Sequence, residues 1–199
     1  MVDCVEHTNG IIDKFIGDAV MAHWGTSYTA GSPAKDAVNC VTAALMMRKA
    51  LYEMNKLRKK GDPGNPPIRI GCGINTGIVT AGQLGSEMRM EYTVIGDPVN
   101  LASRIEALTK PLGVDILISE DTWKFVGRYF ITEEMPPVTV KGKERPVRIF
   151  AVVNARGIDK GPKTMAEVRE LLGIEAPDIA KVDVNADEKK YKIGEEKKK

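Results

Sequence analysis

A chain of 199 residues with 43% hydrophobic content holds one domain of ordinary size plus tails, and a formal net charge of +2 gives no general electrostatic case for nucleic acid. Three cysteines, Cys4, Cys40 and Cys72, lie far apart without a CxxC pair, which excludes a disulfide framework or zinc knuckle pattern and fits a reducing compartment. The longest apolar run, around Val41 to Met47, falls well short of the roughly 18–20 residues a membrane span needs, and Asp3, Glu6 and His7 interrupt any signal-peptide core.

In chain order, residues 1–7 read as the end of a helix stopped by Asn9-Gly10. Ile11 to Ile16 and Ala19 to Trp24 are β-rich runs around Gly17-Asp18, a hairpin signal. Ser32-Pro33 opens a helix, with Ser as N-cap and Pro at the first position, running to Lys60. Its apolar face is expected from Val38, Val41, Leu45, Leu51, Met54 and Leu57. Residues 61–67 form a breaker-rich turn. Ile68 to Asn75 reads as a strand. Ile78 to Leu84 and Met88 to Ile95 read as a hairpin with its tip at Gly85-Ser86-Glu87.

A helix follows the Gly96-Asp97-Pro98 break and runs to about Thr109. Asp115 to Ser119 is a strand, and Ser119 caps a short helix over Glu120 to Val126. Val138 to Val140 and Val147 to Val153 are expected as the last two strands. From Gly157 onward the apolar pattern thins: Met165 to Leu172 reads as one helix, and the stretch from Ala176 to Lys199, mixed in charge and poor in large apolar groups, as a flexible tail.

Two places carry chemistry. On the helix after Gly96-Asp97-Pro98, Asn100 and Arg104 are four apart and share a face just past a strand end. A guanidinium fork beside a carboxamide suits a polyanionic ligand, Arg meeting phosphate oxygens and Asn fixing a sugar. A capped amphipathic helix with a solvated Arg104 is the plainer alternative. The second place is Asp18, a carboxylate at a tight turn between apolar strands. Such a group suits magnesium, which takes a few oxygens plus substrate phosphates, although a turn-forming Gly-Asp explains the pair equally simply.

Four segments, taken together and in this order, give the chain a family likeness: residues 14–22 (Lys14-Phe15-Ile16-Gly17-Asp18-Ala19-Val20-Met21-Ala22), residues 69–77, residues 92–104 (from Tyr92-Thr93-Val94-Ile95-Gly96-Asp97 to Arg104), and Val140-Lys141-Gly142. The chain resembles the class III nucleotidyl cyclases, most nearly the bacterial homodimeric adenylate cyclases, over about residues 1–153, with residues 154–199 as a C-terminal extension. The resemblance implies an α/β (α+β) fold with a ferredoxin-like cyclase core, a mostly antiparallel sheet and packed helices. It implies conversion of ATP to 3′,5′-cyclic AMP and pyrophosphate with two Mg2+ or Mn2+ ions, in intracellular signalling.

By the same resemblance Asp18 corresponds to the second of two metal-binding aspartates, Lys14 and Thr93 to the base-reading pair, and Asn100 to the ribose-orienting residue. Arg104 corresponds to the residue that meets charge on the α-phosphate. Lys141 corresponds to the lysine on the terminal phosphates, with Lys143 close enough to exchange roles. The resemblance also implies a shared site, in which Asp18 of one protomer would face the other five positions of its partner, so that a homodimer would have two equivalent sites. The hairpin from Gly82 to Thr93 resembles the family's dimerisation arm, with ordinary strand packing as the alternative for Met88 and Met90.

Base choice follows from donors and acceptors. Lys14 can only donate, which suits N1 of adenine and opposes N1–H of guanine, whereas the Thr93 hydroxyl can accept or donate. The chain departs from the pattern at its start. The family's first metal aspartate lies on a strand well before the position of Asp18, yet only 17 residues precede Asp18, and Asp3 and Asp13 stand at the wrong distance. A fragment of a longer cyclase with impaired activity is therefore expected. It would be cytoplasmic, without nucleic-acid partners, and tethered to a membrane only through an upstream region. A guanylate cyclase and a non-catalytic nucleotide-binding partner of an intact cyclase are the alternatives. An RNA-binding module is disfavoured by the absence of paired strand aromatics.

Overall fold

The computed structural model describes residues 1–62, 64–86, 88–138 and 146–177. Lys141 and Lys143, Val140 of the expected strand, and the tail from residue 178 lie outside the described residues. The elements are α1 (Val2–Glu6), β1 (Ile11–Ile16), β2 (Ala19–His23), α2 (Pro33–Gly61), β3 (Cys72–Ile74), β4 (Thr80–Ser86), β5 (Arg89–Ile95), α3 (Asp97–Ala107), β6 (Ile116–Ser119), α4 (Glu120–Val126), β7 (Phe130–Glu134), β8 (Ile149–Ala155) and α5 (Met165–Leu172). Among the described residues no helix is long and apolar enough to cross a membrane.

The described strands form a four-stranded sheet in the order β3-β6-β8-β7 and two hairpins, β1-β2 and β4-β5. Among the described residues only the β3-β6 pairing is parallel. The fold is therefore the mostly antiparallel α+β arrangement expected from the sequence. Strand alternation divides the core into two. Leu117, Ile149, Ala151 and Val153 face α3 and α5, packing with Leu101, Ile105, Met165 and Val168. Ile116, Ile118, Phe150 and Val152 turn the other way, toward Ala37, Val41 and Ala44 of α2 and Val126 of α4. The segment beyond residue 153 thus contributes to the core through α5, which Arg169 ties down by donating to the carbonyl of Gly113.

Local signals account for most elements. Ser32 and Ser119 each accept a backbone N–H at their helix starts, from Lys35 and Thr122. Gly17 takes φ 63° in the β1-β2 turn. Three expectations are corrected. β3 covers only Cys72–Ile74 rather than residues 68–75: Ile68 is exposed and its backbone N–H and C=O are taken by the Asn55 side chain instead of a neighbouring strand. Of the strand expected over Val138 to Val140 only Val138 is described, in an isolated bridge with Val147, and β7, where Phe130 carries the core contact, is a described strand the sequence reading did not expect. The last turns of α2 do not bury their apolar stripe: Met54 and Leu57 are exposed, because no described element covers that end.

One buried charge pair was not foreseen. Arg48 lies on the buried stripe of α2 with Val41, Ala44 and Leu51. Its Nε and Nη2 donate to the Asp115 carboxylate at 2.6 and 2.8 Å, and its Nη1 and Nη2 donate to the carbonyls of Val153 and Val152 at 2.5 and 2.6 Å. Removing one partner strands a buried charge, which costs about 3–5 kcal/mol. Arg48→Met or Asp115→Asn is expected to lower unfolding free energy by that order in a urea titration; a loss below about 0.5 kcal/mol would contradict the assignment.

Candidate active site

The candidate residues come from two hairpins and one helix. In β1 the register slips between Ile12 and Lys14, so Asp13 is the extra residue of a β-bulge. Bulges re-aim side chains. Here the Asp13 side chain is fully buried, and its carboxylate accepts from the Thr93 hydroxyl at 2.9 and 2.8 Å and from the Val94 N–H at 3.1 Å. Lys14 lies 3.4 Å from the same carboxylate and donates to Glu91 at 3.3 Å. The hydrogen bond to Glu91, assisted by Asp13 and opposed by partial desolvation, holds the Lys14 ammonium above its ordinary pKa. Lys14 on β1 and Thr93 on β5, far apart in sequence, are thereby brought to one carboxylate.

Asn100 and Arg104 lie on α3, which starts immediately after β5. Gly96, at φ 147°, makes the sharp entry, a conformation that favours glycine. The helix can lie directly on β3 because Gly73 has no side chain: a Cβ there would come within 2.2 Å of the Glu106 nitrogen and 2.3 Å of the Ala102 carbonyl oxygen. Asn100 is exposed and Arg104 half-buried, one turn apart on the same face. Asp18 is exposed at the tip of the β1-β2 hairpin. Two strand residues and a turn separate it from Lys14, on the order of 10 Å.

Among the described residues no group of three His, Cys, Asp or Glu side chains gathers as a metal site. Asp18 fits one ligand position of a hard divalent cation, and the described residues alone do not supply a two-ion set. Burial raises the Cys72 thiol to about 12 and the Cys40 thiol further, so neither is an activated nucleophile. The hairpin tips carry unpacked apolar groups: Phe15 and Ile16 on one, and on the other Met88, 97% exposed, with Met90 and Tyr92 behind it. Ordinary strand packing therefore does not account for Met88.

Sequence reading weighed Asp13 only as a metal ligand, which it set aside, and passed over Glu91 and His23. The signal for Asp13 was an ionisable residue inside the apolar strand run Ile11 to Ile16, where only a paired carboxylate is tolerated. His23 is buried, its Nδ1 shares a hydrogen bond with the Thr26 hydroxyl, and its Nε2 lies 3.9 Å from Asp13 without a hydrogen-bond partner. Burial lowers its pKa below the ordinary 6.5, with Asp13 opposing more weakly. The unfolded chain thus takes up a proton near pH 6.5 that the folded chain resists. This contribution costs nothing above that pH, and stability falls as pH drops through it. The melting temperature is expected to fall between pH 7.5 and 5.5, and less steeply in His23→Gln; identical slopes would contradict this.

The sequence matches the adenylate and guanylate cyclase catalytic domain over residues 5–154. It is 37% identical over 158 residues to an adenylate cyclase of Anabaena cylindrica, covering 76% of this chain and 30% of that protein. The chain therefore spans under a third of the length of that curated relative. Among solved structures, the adenylyl cyclase CyaB of P. aeruginosa is 38% identical with a TM-score of 0.68, covering 80% of this chain and 79% of that one. The guanylyl cyclase Cya2 is 33% identical with the same TM-score of 0.68, covering 82% and 79%. With its fold and its sequence agreeing over the greater part of its length, the chain belongs to the adenylate and guanylate cyclase catalytic-domain family.

Proposed function

We propose that this chain contributes to the closure of ATP into 3′,5′-cyclic AMP, with release of pyrophosphate, at sites shared between two copies of the chain. The observation that carries this reading is the succession of β5 and α3. It places Thr93, beside Lys14, one sharp turn before a helix face bearing Asn100 and Arg104. A nucleotide laid along this line has its base at Lys14 and Thr93, its ribose at Asn100 and its α-phosphate at Arg104.

In the reaction the ribose 3′-oxygen forms a bond to the α-phosphorus, the bond from the α-phosphorus to the bridging oxygen breaks with its electron pair leaving on pyrophosphate, and the 3′-hydroxyl proton passes to water. Arg104 donates to oxygens whose charge grows in the transition state, and Asn100 holds the ribose so that attack is in line. Asp18 of the partner copy would hold one Mg2+ or Mn2+ ion, whose chemistry is to acidify the attacking hydroxyl and neutralise phosphate charge. Lys141, with Lys143 beside it in sequence, is proposed for the terminal phosphates. The catalytic domain is proposed as residues 1–153, with residues 154–199 as its extension. The exposed Met88, Met90, Phe15 and Ile16 offer apolar surface suited to a homodimer seam. A cytoplasmic setting fits three free cysteines.

A guanylate cyclase is the second reading. It is favoured by the Glu91 carboxylate, 3.3 Å from Lys14, which would suit the N1–H of guanine. Parallel assays of the intact protein with ATP and GTP and Mn2+ separate the two. Cyclic AMP is expected as the main product, and Arg104→Ala is expected to lower kcat about a hundredfold with KM nearly unchanged. Lys14→Glu with a matching change at Thr93 is expected to move preference toward GTP. A defect confined to KM in the first variant, or unmoved selectivity in the second, would contradict these roles.

A further inference from the structure

Thr93 is an ambiguous reader of a purine edge, because a hydroxyl donates or accepts according to where its proton points. The fold removes that ambiguity. Three donors converge on the buried Asp13 carboxylate: the Thr93 hydroxyl at 2.8 and 2.9 Å, the Val94 N–H at 3.1 Å and the Lys14 ammonium, 3.4 Å away. A carboxylate receiving a backbone N–H and facing an ammonium is an acceptor, so the hydroxyl proton is committed to it. Only the lone pairs of Thr93 remain for a ligand.

We propose that Asp13 is a specificity-determining positioning residue, which selects adenine over guanine by fixing the Thr93 hydroxyl as an acceptor. The inference rests on the base-reading role proposed above for Lys14 and Thr93, and deepens it. With the hydroxyl so fixed, the pair presents one donor, Lys14, and one acceptor, Thr93. Adenine offers the complement, an acceptor at N1 and a donor at its amino group. Guanine offers the reverse, N1–H and a carbonyl oxygen, and meets donor against donor and lone pair against lone pair. The bulge at Asp13 is what makes this possible, since it carries a carboxylate from within an apolar strand to β5.

Asp13→Asn relaxes the selection. The asparagine oxygen can replace Oδ2 as acceptor for Val94 N–H. The amide N–H2 then occupies the place of Oδ1, 2.9 Å from the Thr93 hydroxyl and 3.4 Å from the Lys14 ammonium, and donates to the Thr93 lone pairs, so the hydroxyl is no longer held as an acceptor toward a purine. The test is calorimetric titration of the full chain with α,β-methylene ATP and α,β-methylene GTP in Mn2+, which needs no turnover. The native chain is expected to favour the adenine analogue at least tenfold, and Asp13→Asn to narrow that ratio about tenfold. Thr93→Val, which lacks the hydroxyl, is expected to narrow it similarly, and Asp13→Asn in the Thr93→Val background to change it no further.

Equal weakening of both analogues by Asp13→Asn would show a merely structural role and overturn the inference while leaving the site intact. So would a Thr93→Val chain that keeps the full adenine preference, a result that stands even if Asp13→Asn fails to fold. A native chain that favours the guanine analogue overturns the inference and the adenylate reading together. A native chain that binds neither analogue overturns the site itself.

Discussion

The ion pair between Arg48 and Asp115 is the constraint on which the architecture of the site depends. Burying a guanidinium and a carboxylate is unfavourable unless both are fully hydrogen-bonded. Here the guanidinium spends its donors on Asp115 and on the carbonyls of Val152 and Val153, so one side chain of α2 fixes the helix against β6 and β8 at once. Asp115 passes the constraint on: its carbonyl accepts from the Cys72 N–H at 2.7 Å, setting the β3-β6 register. The next residue in β3, Gly73, is where α3 rests its backbone on the sheet. A chain of contacts thus runs from the middle of α2 to the helix that carries Asn100 and Arg104.

The two halves of the site have different physical characters. The α3 face is held by a packed core, with Leu101 and Ile105 buried beneath Asn100 and Arg104. The β1-β2 hairpin meets β5 through polar contacts near its base, from Asp13 to Thr93 and Val94 and from Lys14 to Glu91, while its tip with Phe15, Ile16 and Asp18 stands in solvent. In the proposed shared site the packed α3 face would meet the reacting phosphate and the exposed tip would reach the partner copy. The apolar groups left at both hairpin tips are consistent with that division of labour.

Much of this was legible in the sequence, where local chemistry decides the structure. Ser32-Pro33, Ser119, Gly17-Asp18 and Gly96-Asp97-Pro98 act within a few residues of themselves, and the elements they bound formed as expected. Pairings across long separations were not legible. Asp13 finds Thr93 from 80 residues away, and Arg48 finds Asp115 from 67, distances over which no periodicity carries information. Each left a weaker trace, an ionisable residue in an apolar stripe, which marks a buried pair without naming the partner. The over-reading of Leu57 has the converse cause: a helical pattern shows which face is apolar, not whether anything covers it.

The central claim is that a purine nucleoside triphosphate lies along β5 and α3 of one copy while the partner copy's Asp18 faces its phosphates. A crystal grown with α,β-methylene ATP and Mn2+ tests it most directly. The account expects adenine at Lys14 and Thr93, the ribose at Asn100 and the α-phosphate at Arg104 of one copy, with an anomalous manganese peak at Asp18 of the other. Nucleotide density away from these residues, or manganese bound with no contact to Asp18, would contradict it.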